Sequence, residues 1–339
     1  MIYYHHIGAR SGTFPLRIPK PLLNDFCTVL YDADEDSIEQ IKSKADGNVI
    51  VLSALIAGGS GMTRFYNTFH PTNFSIYKLN ERYKNYSYTH YPRYGEYICG
   101  DGFSVESSIE LKSYTLPEII EKYQIGIDFL SLDVQGAEYD ILVASKDLLK
   151  DKVLGVILEA EFVELYKNQK TFDKVHQLMT SAGFSLINID YMGTWEAISL
   201  PVGFRGTGSH IFGDFIYVKD VEMMGAASCE DKLKCALFAL MYANMGICVK
   251  LLKQSSNHFN KFDYGYARLL AEVWRAYQES YCYLPKFGEL FTSRMIQNFY
   301  SVEKSNVFDD EHLIKQDFNR KFNKACEYIS TIDAGGGGG

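Results

Sequence analysis

Three short stretches of the chain hold residues whose types and spacing could do chemistry. The first is Gly8, Ala9, Arg10, Ser11 and Gly12, directly after an apolar run at residues 2–7. Glycine there lets the backbone turn sharply and come close to a ligand. The spacing is G-x-x-x-G rather than the G-x-G-x-x-G of a dinucleotide fingerprint. The second is Asp32, twenty residues past Gly12 and at the end of an apolar run at residues 28–31. An acid so placed can accept hydrogen bonds from both hydroxyls of a ribose; it can equally cap the helix that follows. Asp34 suits the cap better, and Asp32, followed by Ala33, suits the ribose. The third is Asp133, Val134, Gln135, Gly136, Ala137 and Glu138, where the apolar run at 127–134 ends in an acid. A glycine and a helix bearing a second acid follow at once.

Other polar residues fall near the same strand ends. A β-branched run at residues 48–56 carries Ser53 and Ala54. Glu159 and Glu161 alternate with Ala160 at the end of the run 153–161, so they share one face of a strand. On a cleft face they could bind a polyol; on an outer face they would make surface salt bridges. Proton transfer from a hydroxyl needs a base within reach. Asp133, Glu138, Glu159, Glu161 and His210 are the candidates, with Asp133 first because it ends a central strand. Asp133 has a structural alternative, accepting N–H groups at the next helix start, and Glu138 could simply cap that helix. Trp195 follows a late strand and reads either as a substrate platform or as core. His5, His6 and His210 have no spacing that demands a metal, and none is expected.

These residues need a scaffold that brings strand ends together. Apolar runs at 2–7, 28–31, 48–56, 127–134, 153–161, 184–191 and 211–219 alternate with helical patterns at 36–44, 117–122, 137–149 and 172–182. This order implies an α/β fold, a Rossmann-like doubly wound and mostly parallel sheet, in which ligands bind at the carboxyl ends of the strands. Residues 62–68 and 105–111 read as additional strands, and residues 73–102 as a long Tyr-rich loop of the kind that covers a binding site. From Cys229 onward the pattern is helical, with the clearest helices at 230–253 and 264–281. The expected organisation is a catalytic domain over residues 1–222, a helical C-terminal appendage over 223–334, and a glycine tail at 335–339 that is left out of the fold. The first strand begins at residue 2 with no helix before it, which points to a longer native chain or a trimmed fold.

Composition narrows the partners. A net charge of −8 argues against a nucleic-acid backbone as ligand, which requires a basic footprint. The 25 tyrosines and 22 phenylalanines therefore read as core and pocket walls rather than as base-stacking platforms. Seven cysteines with no CxxC spacing suit a reducing compartment, and the N terminus lacks the pattern of a secretory signal. The most apolar stretch, residues 235–249, is too short to span a bilayer. The expectation is a cytoplasmic protein without a membrane span. The apolar character of residues 232–252 leaves packing on the catalytic domain and homo-oligomerisation through the C-terminal helices both open.

The segment Ile127-Asp128-Phe129-Leu130-Ser131-Leu132-Asp133-Val134-Gln135-Gly136-Ala137-Glu138 resembles the FkbM family of S-adenosylmethionine-dependent methyltransferases, whose pattern there is roughly iDflKiDvEGaE. The first glycine motif at 7–12, the third-strand region at 48–57 with Gly61, Leu158 to Phe162 with Leu165, Tyr166, Thr171 and Phe172, and Gly183-Phe184 are similar to the family's other motifs. The resemblance covers residues 2–220. It implies a class I methyltransferase fold and S-adenosylmethionine bound by His6, Gly8, Ala9, Arg10, Gly12, Asp32, Ala33, Ser53, Ala54 and Asp133. Asp133, Glu138 and His210 would serve catalysis, and Glu159, Glu161 and Trp195 the substrate. The implied acceptor is a hydroxyl on a sugar, a glycan or a secondary metabolite. Two departures from the pattern matter: His6 stands where an acid is common, and Ser131 where a lysine is frequent. A non-catalytic binding module of the same fold, and an NAD-type oxidoreductase, are the alternatives the residues leave open.

Overall fold

The computed structural model describes residues 1–10, 16, 18–44, 47–88, 98–198, 200, 206–255, 262 and 264–283. Gly12, residues 89–97 of the Tyr-rich stretch and the glycine tail lie outside these residues. The chain divides into two compact units, Met1–Arg17 with Phe26–Met224, and Ile18–Asp25 with Gly225–Gly339.

The first unit is built on a mixed sheet. Its strands are β1 (Ile2–Ile7), β2 (Phe26–Asp32), β3 (Val49–Ser53), β6 (Ser87–Tyr88), β8 (Phe129–Leu132), β9 (Gly155–Glu161), β10 (Phe184–Glu196) and β11 (Ser209–Lys219). They lie in the order β3-β2-β1-β8-β9-β11-β10-β6. The five strands from β3 to β9 are parallel, and β11 runs antiparallel between β9 and β10. β2 and β8 are buried at every position, as strands covered on both faces must be. Their apolar residues join α3 (Leu116–Tyr123), α4 (Glu138–Ala144) and α6 (Phe172–Ser181) in one core around Val29, Leu130, Ile141 and Val156. α3 is started by a reciprocal cap, Thr115 with Glu118, and by Pro117 in its first turn.

Several predicted elements are subdivided. The run at 48–56 is shared between two sheets: β3 pairs with β2, while β4 (Leu55–Ile56) pairs with β7 (Val105–Tyr114). β5 (Gly61–Thr68) completes this smaller sheet in the order β4-β7-β5. The helix expected at 137–149 is broken at Ser145 into α4 and α5 (Lys146–Asp151), because Ser145 leaves the helical region at φ −101° and ψ 14°. The stretch expected as loop carries 3-10 turns at Pro71–Asn73 and Glu81–Tyr83, the short strand β6 and the turn of helix α2 (Cys99–Gly102).

The described residues of the second unit are mainly helical. The segment expected as one helix at 230–253 forms α7 (Cys229–Met241) and α8 (Met245–Ser255). Ala243 takes a left-handed φ of 57° between them, and the Asn244 side chain accepts the Ile247 N–H at 3.2 Å to start α8. α9 (Gly265–Tyr283) begins on the carboxylate of Asp25, which accepts the N–H groups of Gly265 at 3.2 Å and Tyr266 at 2.7 Å. This long-range cap explains why Ile18–Asp25, read from sequence as part of the first domain, groups with the helices. No helix among the described residues is long and apolar enough to cross a membrane.

Candidate active site

Strand order reverses between β1 and β8, and at such a switch point the loops diverge and leave a crevice. A cavity of about 400 Å³ occupies it. Gly8 makes the crevice possible. Its φ is +88°, and an added Cβ would lie 1.8 Å from the Asp133 carbonyl oxygen. The N–H groups of Gly8 and Ala9 both turn back to the Tyr31 carbonyl, at 3.1 and 3.0 Å, which anchors the turn to β2.

On the β2 side, Asp32 and Ala33 line the cavity. The Asp32 carboxylate accepts the Asp34 N–H at 2.9 Å and the Ser37 hydroxyl at 2.7 Å, one on each oxygen. Burial raises its pKa, while those two donors and the nearby Arg10 pull it back. Arg10 pairs with Asp34 at 3.0 Å and lies 4.3 Å from the ring centroid of Phe74. It is the one Lys or Arg that lines the cavity among the described residues. Ala54, Leu55, Ile56 and Phe65 supply an apolar wall, and Pro71, Thr72, Phe74 and Ile76 come from the chain after β5. That segment is tied down by the Ser75 hydroxyl, which donates to the Gln135 carbonyl at 2.7 Å, and by the Tyr77 hydroxyl on Asp140.

On the other side the lining is acidic. Asp133 follows the end of β8, Glu159 lies near the end of β9 and Asp214 lies within β11, the next strand, and Glu159 and Asp214 are direct partners in the β9–β11 register. Like charges so placed repel. Asp133 is reached by solvent through the cavity, yet the protein packed around it raises its pKa, with a hydrogen bond from Gln135 opposing. Burial, then the charges of Asp133 and Asp190, push Asp214 up to about 7. Burial and the charges of Asp133 and Glu161 lift Glu159 well above the carboxylate range. The hydrogen-bond donor between Asp133 and Glu159 is the Gln135 side chain, whose Nε2 lies 2.8 Å from Asp133 Oδ1 and 3.3 Å from Glu159 Oε1.

The sequence candidates distribute unevenly. His6, Gly8, Arg10, Asp32, Ala33, Ala54, Asp133 and Glu159 all line the cavity. Ala9 is fully buried beside it, and Ser53, one residue short of Ala54, is exposed. Glu138 is buried, and its two oxygens accept the N–H groups of Val134 at 2.8 Å and Gly136 at 3.0 Å. It organises the turn after β8 instead of facing the cavity, which makes it a structural acid. Glu161 is likewise buried and accepts from the Gln169 amide. Trp195 is 1% exposed in an aromatic cluster with Phe103 and Tyr166. His210 is exposed, because it lies beyond Phe212, the last β11 residue to pair with β9. The three histidines do not gather. His5 sits between the Tyr31 hydroxyl and the Gly126 carbonyl, and burial lowers its pKa to about 4. His6 Nδ1 meets Ser131 Oγ at 3.0 Å. No group of three or more metal-ligating side chains is found among the described residues. Asp214 and Gln135 were not singled out from sequence, and only the strand register and the turn geometry reveal them.

The profile of the FkbM methyltransferase domain matches residues 7–186. No curated protein matches the chain. Among solved structures, a magnesium protoporphyrin IX methyltransferase from Synechocystis with bound SAM aligns at 11% identity and a TM-score of 0.31, over 65% of this chain and 70% of that one. A SAM-dependent methyltransferase from Methanosarcina mazei aligns at 10% identity and a TM-score of 0.29, over 64% of this chain and 92% of that one.

Proposed function

The chain belongs to the FkbM methyltransferase family, and we propose that it transfers a methyl group from S-adenosylmethionine to a hydroxyl of a sugar, a glycan or a secondary metabolite. The observation that carries this reading is the division of one cavity between Asp32 at the end of β2 and the acids Asp133 after β8, Glu159 near the end of β9 and Asp214 within β11.

The residues present fit the cofactor. S-adenosylmethionine supplies an activated methyl group on a positively charged sulfur. A lining with four carboxylates and one cation, itself paired to Asp34, matches a ligand of that charge. Each Asp32 oxygen has accepted one hydrogen bond and keeps a lone pair to offer a ribose hydroxyl. Ala33, Ala54 and Leu55 give apolar surface beside it for a base.

Positioning supplies much of the rate of an in-line displacement. Asp133 takes the proton that an acceptor hydroxyl must lose as its oxygen is methylated, so the site releases a neutral ether and Asp133 passes the proton to solvent through the cavity mouth. Glu159 and Asp214 hold the remaining hydroxyls of the acceptor. The buried free thiols Cys27, Cys99, Cys235 and Cys248 suit a reducing compartment, in keeping with a cytoplasmic enzyme.

Calorimetry with S-adenosylmethionine, S-adenosylhomocysteine and NAD tests the cofactor. Binding of both sulfur compounds and not of NAD is expected; no binding of either would overturn the reading. Uptake of labelled methyl from S-adenosylmethionine across a panel of glycans and hydroxylated metabolites then identifies the acceptor.

A further inference from the structure

The turn after β8 is built around Gln135. Its backbone has a left-handed φ of 58°, followed by Gly136 at φ 104°. A non-glycine residue in that region carries a conformational cost and marks a site where the surroundings hold it. Here they do. The Glu138 carboxylate binds the N–H groups on either side of Gln135, those of Val134 and Gly136. The Ser75 hydroxyl binds the Gln135 carbonyl at 2.7 Å. The backbone is thus clamped on both edges, and the side chain leaves it in one direction.

The side-chain amide has one sensible orientation. Its Oε1 accepts the Tyr166 hydroxyl at 2.5 Å, and its Nε2 donates to Asp133 and Glu159. Turned over, Oε1 would face two carboxyl groups and both would lose their donor. Tyr166 is itself 1% exposed and packed edge-on against Phe103, so the hydroxyl that sets the amide is rigid.

We propose that Gln135 is a positioning residue, whose carboxamide, oriented by Tyr166, holds Asp133 and Glu159 in one arrangement and makes Asp133 the group that receives the acceptor's proton. The proposal rests on the methyl-transfer reading given above. The two acids share one donor but not equally. The shorter bond goes to Asp133, whereas Glu159 has Asp214 directly across the strand pair and Glu161 on its own strand face. A donor nearer one carboxylate favours the charge there and leaves the proton on the other. The other titratable groups acting on Asp133 or sharing its cavity are Glu138 from α4, Glu161 from β9, Asp214 from β11, His6 from β1 and, on the β2 side, Tyr31 and Asp32 with Arg10.

The test uses the full chain with Gln135→Met, Gln135→Glu and Tyr166→Phe. The titration of Asp133 is followed by carboxyl carbon NMR without cofactor, its signal assigned by its absence in Asp133→Asn. Loss of a hydrogen bond to a charged group should raise the Asp133 midpoint by about one pH unit in Gln135→Met. The added charge in Gln135→Glu should raise it further, and Tyr166→Phe should give a smaller rise. The acidic limb of the methyl-transfer pH profile should move with it. An unchanged Asp133 midpoint in all three variants overturns the proposal. If the Gln135 variants do not fold, Tyr166→Phe decides alone, since it leaves the clamped backbone intact. The two failures are distinct: absence of S-adenosylmethionine binding in the wild type overturns the function, while the NMR shift reports on Gln135 in either case.

Discussion

The two sides of the cavity hold carboxylates in opposite circumstances. Asp32 is answered within its own segment, by the Asp34 N–H, the Ser37 hydroxyl and the neighbouring Arg10. Asp133 and Glu159 share a single carboxamide donor, and Asp214 stands directly across the strand pair from Glu159. A carboxylate already provided for is an acceptor in fixed position, suited to hydroxyl groups. A cluster of poorly compensated carboxyl groups stores unfavourable free energy that a bound cation or a captured proton relieves. In the proposed reaction the β2 side holds and the β8–β9–β11 side reacts.

Four changes would break or sharpen that contrast. The largest effect is expected from Gly8→Ala, which forces the strand ends of both sides apart: the new Cβ would overlap the Asp133 carbonyl at a left-handed φ. It should cost about 3 kcal/mol or more in thermal or chemical unfolding and abolish cofactor binding; a native-like melt with full affinity would show that the crevice tolerates a side chain. Next, Asp133→Asn should lower turnover about a hundredfold or more with a smaller change in cofactor affinity, as removal of a base does. An unchanged rate would take the reactive role from this side. Third, Asp32→Ala should weaken S-adenosylmethionine binding by about 1–3 kcal/mol in calorimetry while leaving the reactive side intact. If affinity does not change, the holding role belongs elsewhere.

The smallest effect concerns pH. Asp214 and Glu138, both raised to about 7 in the folded chain, bind their protons more tightly folded than unfolded. Their contribution to stability is then complete below the ordinary carboxylate range and is lost as pH rises through about 7. Thermal melts from pH 4 to 8 should show stability falling across this window. Asp214→Asn should flatten the fall and leave the protein more stable than wild type at the alkaline end; an equal slope in the two proteins would mean that Asp214 is not strained in the folded state.

Much of this site is legible along the chain because its parts end parallel strands. Gly8, Asp32, Asp133 and Glu159 each close an apolar run, and such ends converge in a doubly wound sheet. Asp214 is hidden for the converse reason. It lies inside antiparallel β11, and only the register that sets it opposite Glu159 brings it to the cavity. Glu138 and Glu161 have the right type and spacing, yet local bonds to backbone and to Gln169 engage them; spacing does not say which way a carboxylate turns. Two departures from the family pattern, His6 and Ser131, prove to be neighbours. His6 and Ser131 are register partners across β1 and β8 and bond to each other at 3.0 Å. A sequence read position by position does not show that the two positions touch.

The division of residues 49–56 between two sheets has a mechanical consequence. Val49–Ser53 is bound to β2 and Leu55–Ile56 to β7, and Ala54 alone joins them, its N–H fixed to the Asp32 carbonyl at 3.0 Å. Ala54, Leu55 and Ile56 are also wall residues of the cavity. The joint is thus a fulcrum with the small sheet as its lever arm. The small sheet reaches the cavity through Leu55 and Ile56 of β4 and Phe65 of β5, so a displacement of that sheet would be felt at the wall beside Asp32.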